Sequence, residues 1–228
     1  MTSTILATFD NVEDANDAIH ELMDAGFDRS DIGLAVYDRD NVSDRYLGDR
    51  NDVTASEGTS FGGTVGLLVG VVVGLGAITI PGVGPIIAAG PLAAALGAAT
   101  GGAIGAAAGA ATGNITASLI NLGVPEEEAA YYAESLRRGS ALVSVNVYDT
   151  DADRAANILR SFNPVDVNQR VAHWREQGWE GFDASAEPYS GDELSRFERD
   201  RQVYDDDYDM TDEDEVYEWD GPVRRYPR

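Results

Sequence analysis

The pattern of apolar and polar positions at the N-terminus predicts a strand, a helix and a second strand. Residues 4–9 form the first predicted strand, and residues 31–38 form the second. The helix between them carries its apolar positions on one face, at Val12, Ala15, Ile19, Leu22 and Met23. Asp10 or Asn11 is predicted to cap the start of this helix. Residues 1–38 are therefore assigned to a first βαβ half.

A related pattern later in the chain predicts a second half. Residues 141–148 alternate as a half-buried strand, and the helix after them repeats the apolar positions of the first helix at a shift of 140 residues. Pro164 is expected to end that helix, and residues 165–167 are predicted to form a short final strand. Two such halves side by side predict an α+β fold, a ferredoxin-like sandwich. With a preceding helix opened by Pro125, this part is assigned to residues 123–168.

A long segment between the two halves is free of charge and rich in regularly spaced glycine. Residues 58–125 contain no Asp, Glu, Lys, Arg or His. Positions four apart stack on one face of a helix, and glycine there leaves a groove without side chains. Each glycine costs about 1 kcal/mol against alanine in a helix, a loss that close contact with another backbone offsets. The pattern predicts a glycine-zipper helical hairpin at residues 61–122. Its predicted helix-packing residues are Gly62, Gly66, Gly70, Gly74, Gly97, Gly101, Gly105, Gly109 and Gly113.

The location of this hairpin has two interpretations. Residues 62–79 would span about 27 Å as a helix, close to the ~30 Å hydrocarbon core of a bilayer. A hairpin also returns both arms to one side, which predicts insertion into the cytoplasmic membrane with both termini in the cytoplasm. Membrane lipid and further copies of the chain are then the expected partners. The alternative is a cytoplasmic protein whose zipper is buried between its own helices or between subunits.

Three further segments complete the predicted organisation. Residues 39–60 are polar and are assigned to a linker. Residues 169–203 form an aromatic and charged arm, expected to pack on the domain or on an unknown protein partner. Residues 204–228 are strongly acidic and are predicted to be a disordered tail. The aromatic residues of the arm are Trp174, Trp179, Phe182 and Tyr189.

The charge of the chain narrows the classes of partner. The net charge is -24, and all 16 basic residues are Arg, since the chain contains no Lys. A surface of this kind suits solubility at high salt and predicts a halophilic protein. Because nucleic-acid backbones need clustered cations, nucleic acid is not an expected partner. The chain has no Cys, which excludes disulfides and thiolate chemistry.

The candidate chemical groups do not predict an enzyme. No phosphate-binding loop is possible without Lys, and no motif places a nucleophile beside His20 or His173. His20 is expected on the surface, and His173 is expected to be structural. Asp149, Asp151 and Asp153 imitate the start of a calcium loop but lack its later Gly and Glu, so they are interpreted as helix caps. No catalytic residue, metal ligand or cofactor is predicted.

The layout resembles the general stress protein 17M-like family, whose members are also called heat-induced or low-temperature-induced proteins. The resemblance rests on the Thr-Phe-Asp turn at residues 8–10, on Pro-Gly-Val-Gly-Pro at residues 81–85 and on Gly-Val-Pro-Glu-Glu-Glu-Ala at residues 123–129. It covers about residues 4–168, and the arm resembles an extension that some members carry. The resemblance implies a stress-response role and membrane segments, and it supplies no catalytic residues. Together with the glycine spacing in the uncharged segment, it leads to the prediction of a non-enzymatic stress-response protein attached to the membrane by a self-associating zipper. The alternative is a soluble oligomeric scaffold or ligand-sensing module.

Overall fold

The computed structural model describes residues 1–38, 76–96, 115–207 and 221–227. These residues form a mixed α/β fold with six strands and seven helices. The strands are β1 (Thr2–Phe9), β2 (Ile32–Tyr37), β3 (Gly76–Ile80), β4 (Gly84–Ala89), β5 (Ala141–Tyr148) and β6 (Val223–Pro227). The helices are α1 (Val12–Asp24), α2 (Gly90–Leu96), α3 (Ile115–Asn121), α4 (Glu126–Arg137), α5 (Ala152–Arg160), α6 (Val167–Glu176) and α7 (Gly191–Asp207).

The six strands form one antiparallel sheet in the order β3-β4-β2-β5-β1-β6. Strands β1 and β5 pair along their whole length, from Thr2 opposite Tyr148 to Phe9 opposite Ala141. The strand predicted at residues 141–148 is therefore confirmed with its bounds. The predicted combination of strands and helices in one mixed fold is confirmed as well.

Helices cover both faces of the sheet. On one face, α1 and α5 pack against strand residues such as Ile5 and Val143. On the other face, α2, α3, α4 and α6 pack against Leu6, Ile86 and Leu142. Successive residues of a strand point to opposite faces, and both sets are apolar, so β1 and β5 are almost completely buried. The sheet is the middle of three layers.

Helix α1 forms as the sequence predicts, and the structure decides between its two candidate N-caps. The Asn11 side chain is the N-cap and accepts a hydrogen bond from the Glu13 N–H at 2.9 Å. Asp10, the other candidate cap, pairs with Arg170 instead. After the helix ends, Gly26 adopts a φ of +91°, a conformation that favours glycine.

The prediction of a helical hairpin is wrong for residues 76–89. These residues form β3, a turn and β4, and β4 pairs with β2 to extend the sheet. The turn fits the Pro81-Gly82 pair, because Gly82 has a φ of +76° that suits glycine. The free edge of β2 offers backbone hydrogen bonds to β4. The energy of this pairing exceeds what the helical glycine spacing would contribute to a helix here. All nine predicted zipper glycines lie outside the described residues.

Two predictions for the C-terminal part of the chain are also wrong. The final strand predicted at residues 165–167 is reduced to a single bridge between Thr8 and Val165, because α6 begins at Val167 with Asp166 as its N-cap. The tail predicted to be disordered contains β6, which pairs with β1 from Ser3 opposite Pro227 to Ala7 opposite Val223. Strand β6 lies at the edge of the sheet, beside β1. Among the described residues, no helix is long and apolar enough to cross a bilayer.

Replacing Gly90 with alanine is expected to lower the free energy of unfolding by about 3 kcal/mol. Gly90 has a φ of +61°, and a Cβ atom there would lie 2.0 Å from the carbonyl oxygen of Ile32. The control is Gly26→Ala, where the φ is also positive but no atom lies within 4 Å, and a loss of about 1 kcal/mol is expected. Urea unfolding measures both values. Equal losses would show that α2 does not pack against the end of β2 at this distance.

Candidate functional site

The predicted zipper glycines form a first run, Gly62 to Gly74, and a second run, Gly97 to Gly113, and the helices that flank the second run contact each other. Helix α2 ends at Leu96, and α3 begins at Ile115, and both residues are buried. The two helices contact each other, and the Ser118 hydroxyl donates a hydrogen bond to the Ala95 carbonyl oxygen at 2.8 Å. The two ends of the 18-residue segment 97–114 therefore lie next to each other on the domain.

The C-terminal end of α4 carries a buried charged cluster. Glu134 is fully buried, and Arg137 and Arg138 are 7% and 8% exposed. Arg138 Nε lies 2.6 Å from Glu134 Oε1, and Arg137 Nη1 lies 3.6 Å from Glu134 Oε2. Both arginines lie at the C-terminal end of α4, where the helix dipole favours positive charge. The spacing of Glu134 three and four residues before them is the signal that could have revealed the cluster.

The aromatic arm covers this charged cluster. The Tyr189 ring lies 4.0 Å from Arg137 Cζ, and its hydroxyl donates to Glu134 Oε1 at 3.1 Å. Trp174 and Phe197 lie 4.6 Å and 4.5 Å from Arg138 Cζ. Burial raises the pKa of the Tyr189 phenol, so the hydroxyl keeps the proton that it donates. Of the two predicted positions for the arm, the structure shows packing on the domain.

A small cleft lies beside this cluster, where β1 ends. It is lined by polar groups from the end of β1, from the turn after α4 and from α6 and α7. Its volume of about 20 Å³ holds one water-sized group. Arg170 Nη2 lies 2.5 Å from Asp10 Oδ2, and the Ser140 hydroxyl donates to Asp10 Oδ1 at 3.1 Å. The remaining polar lining residues are Thr8, Ser135, Arg138, His173, Gln177 and Asp200. We call this feature the β1 cleft.

Strand β6 is held by two polar clusters as well as by the sheet. Tyr226 donates to Glu128 Oε2 at 2.5 Å and lies 2.9 Å from the Tyr132 hydroxyl. Burial raises the pKa of both phenols well above the ordinary tyrosine value, so both stay protonated. Arg225 pairs with Asp149 at 2.8 Å, and the Ser3 hydroxyl donates to the same Asp149 oxygen at 2.7 Å.

The predicted caps and histidines take ordinary structural positions. Asp149 binds Ser3 and Arg225, so its role as a helix cap was predicted wrongly. Asp151 lies at the N-cap position of α5, but its side chain makes no capping hydrogen bond. His20 is exposed on α1, with Nδ1 at 2.9 Å from the Asn16 carbonyl oxygen. In the described ranges, no group of three or more His, Asp or Glu side chains is placed to hold a metal ion.

Comparisons with known proteins add no assignment to this geometry. The chain matches no protein-family model, no curated protein and no solved structure. The resemblance to the general stress protein 17M-like family therefore stays a prediction from the sequence. The class that the observations define is a three-layer α/β domain with a small polar cleft at the end of β1.

Proposed function

We propose that the protein is a non-enzymatic stress-response scaffold whose glycine runs are buried between helices. The observation that carries this proposal is the hydrogen bond from Ser118 to the Ala95 carbonyl oxygen, which joins the two helices that flank the second run. The stress role rests on the resemblance described above. We also propose that the fold is a ferredoxin-like sandwich. The strand order β2-β5-β1-β6 supports this assignment, because it is the order expected of that fold.

Chain length favours helix contact over a membrane crossing for the second run. Eighteen residues that leave and return at one place provide nine residues each way. Nine residues reach about 14 Å as a helix, which is half of a ~30 Å hydrocarbon core. A pair of short helices that continue α2 and α3 would place Gly101 and Gly113 at nearly the same level, since Ala95 lies beside Ser118, and we propose that the glycine faces of the two helices are turned toward each other. Two bare backbones would then meet, as a glycine zipper requires.

The first glycine run, Gly62 to Gly74, has two candidate locations, the membrane and a contact between copies of the chain. Its segment begins after Asp38, whose N–H donates to the Pro85 carbonyl oxygen at 2.8 Å, and ends at Gly76 in β3. Residues 58–75 carry no charge, which favours membrane attachment as a second candidate function. Residues 39–57 contain both Asp and Arg, so a return through lipid along this half is costly. We therefore place the run at a contact between copies of the chain, in a homo-oligomer.

A cysteine pair tests the proposed helix contact. The chain has no Cys, so Gly101→Cys with Gly113→Cys introduces the only thiols. Oxidation is expected to join them within one chain, and electrophoresis without reductant should show faster migration at unchanged mass. Light scattering of the reduced protein should give a multiple of 24.3 kDa. The control pair, Gly102→Cys with Gly113→Cys, is rotated by about 100° on a helix and should cross-link more slowly.

Each other outcome of this experiment has a defined meaning. Disulfide-linked dimers would move the second run to the contact between copies. The absence of any cross-link faster than the control would remove the zipper, and a mass of one chain would remove the oligomer. Flotation of the unmodified protein with lipid vesicles would favour the membrane candidate over the proposed scaffold.

A further inference from the structure

We propose that the aromatic arm is a strap that holds the β3–β4 hairpin on the sheet, so that release of the arm and detachment of the hairpin form one local opening. The proposal does not depend on where the glycine runs lie. It rests on the contacts of the arm with the turn between β3 and β4, on the attachment of the arm to α4, and on the short pairing of the hairpin with β2.

The backbone of the arm lies directly on the turn between β3 and β4. A Cβ atom on Gly82 would lie 2.6 Å from Ala184 Cα and 2.7 Å from the Asp183 carbonyl oxygen. Cβ atoms do not come this close to other atoms, so the contact requires a residue without a side chain. A Cβ atom on Gly84 would lie 3.0 Å from Pro188 Cβ. The arm therefore touches the turn at two points.

Apolar side chains join the same two segments of the chain. Ile80 ends β3 and Val83 lies in the turn, and both are fully buried. Trp179 and Phe182 of the arm pack against the apolar cluster that contains these two residues. Detachment of the arm would expose part of this cluster to water, which is unfavourable. The arm therefore stabilises the position of the hairpin as well as touching it.

The arm is attached to α4 immediately after it crosses the turn. Arg137 Nη2 donates to the Glu187 carbonyl oxygen at 2.8 Å. The Tyr189 ring then lies 4.0 Å from Arg137 Cζ, and its hydroxyl donates to Glu134 at 3.1 Å. Helix α4 packs on the sheet through its own buried face. The strap thus connects the hairpin turn to a helix that is fixed on the body of the domain.

The pairing of the hairpin with the rest of the sheet is short. Strand β4 pairs with β2 only from Leu34 opposite Ala89 to Tyr37 opposite Ile86, whereas β1 pairs with β5 along its whole length. Segments with few such contacts open at lower free energies than the whole domain. Opening of the hairpin would also expose the edge of β2, which could then pair with another strand. The arm therefore controls access to this edge.

Hydrogen exchange of the full chain, measured by mass spectrometry, tests the coupling. Tyr189→Ala removes the ring and the hydroxyl that attach the arm to α4. We expect the amides of residues 84–89 to exchange about tenfold faster, because a cation–π contact and a hydrogen bond are lost. The amides of residues 141–148, in the interior of the sheet, serve as the internal reference and should keep their rates.

The control is Tyr226→Phe, which removes one buried hydrogen bond at the opposite edge of the sheet. It should leave the exchange of residues 84–89 unchanged. Equal acceleration in Tyr226→Phe and Tyr189→Ala would mean that the hairpin opens only with the whole domain, and would overturn the proposal. Unchanged exchange in Tyr189→Ala would overturn it as well. If Tyr189→Ala does not fold, Tyr189→Phe keeps the ring and should give a smaller acceleration of the same amides.

The reverse effect provides a second test, because coupling between two sites is reciprocal. Gly82→Ala places a methyl group between the turn and the arm, so the arm should detach more often. Cleavage by chymotrypsin after Phe182, identified by mass, measures the detached population. The control is Gly26→Ala, where φ is also positive but no atom lies within 4 Å. We expect Gly82→Ala to be cleaved about tenfold faster than this control. Equal cleavage rates would contradict the strap.

Discussion

Removal of residues 221–228 is expected to lower the free energy of unfolding by about 5 kcal/mol. Val223 is fully buried and Tyr226 is 5% exposed, and burying one large apolar side chain contributes about 1.5–3 kcal/mol. The truncation also removes the hydrogen bond from Tyr226 to Glu128 and the pairing of β6 with β1. An exposed β1 edge is in addition a site for pairing with other chains, so aggregation should increase.

Urea unfolding followed by tryptophan fluorescence measures this loss, since all three Trp residues remain in the truncated chain. The control is Tyr226→Phe, which keeps the buried ring and removes only the hydroxyl. It should cost about 1–2 kcal/mol, because Glu128 loses one hydrogen-bond donor. A truncated protein with the unfolding midpoint of the full chain would show that β6 does not belong to the sheet.

Replacement of Glu134 by alanine is expected to cost about 3–5 kcal/mol. The substitution leaves Arg137 and Arg138 buried without the carboxylate that pairs with both of them. Glu134→Gln keeps the shape of the side chain and should recover only a small part of the loss, because the negative charge is what the arginines require. The Tyr189 hydroxyl also loses its acceptor, so the aromatic arm should detach from the domain at a lower urea concentration.

The matched control for Glu134 lies on the same helix. Glu127 pairs with Arg175 at 3.5 Å, but the Glu127 side chain is 74% exposed. Glu127→Ala should therefore change the free energy of unfolding by less than about 1 kcal/mol. Unfolding by urea compares the two variants. Similar small losses for Glu134→Ala and Glu127→Ala would mean that the arm does not bury the cluster.

Elements with strong local signals were predictable from the sequence. The strand at residues 141–148 alternates between apolar and polar side chains, and it was predicted with its observed bounds. Helix α1 was predicted from one apolar face and an adjacent capping residue. The information for these elements lies within about ten residues of chain, so the periodicity is sufficient.

Elements that depend on distant partners were not predictable in the same way. Residues 76–80 continue an uncharged glycine-rich segment, and only the free edge of β2 makes the β3–β4 hairpin favourable. Strand β6 follows an acidic run typical of disorder, yet its partner β1 lies at the other end of the chain. The β1 cleft has the same origin, since Thr8, Arg138 and Arg170 meet only after the sheet and α6 are formed. No spacing in the sequence indicates that meeting.

The position of β1 between β5 and β6 has a consequence for how the chain acquires its fold during synthesis. Strand β1 is made first, but its two neighbours are residues 141–148 and residues 223–227. At ~5–20 residues per second, a ribosome needs roughly 7–28 s to deliver β5 after β1. During this interval the apolar faces of β1 and β2 have no completed sheet to join. Pairing across such sequence distances is also slow in itself. A nascent chain of this protein therefore cannot complete the pairing of β1 until its last strand has left the ribosome.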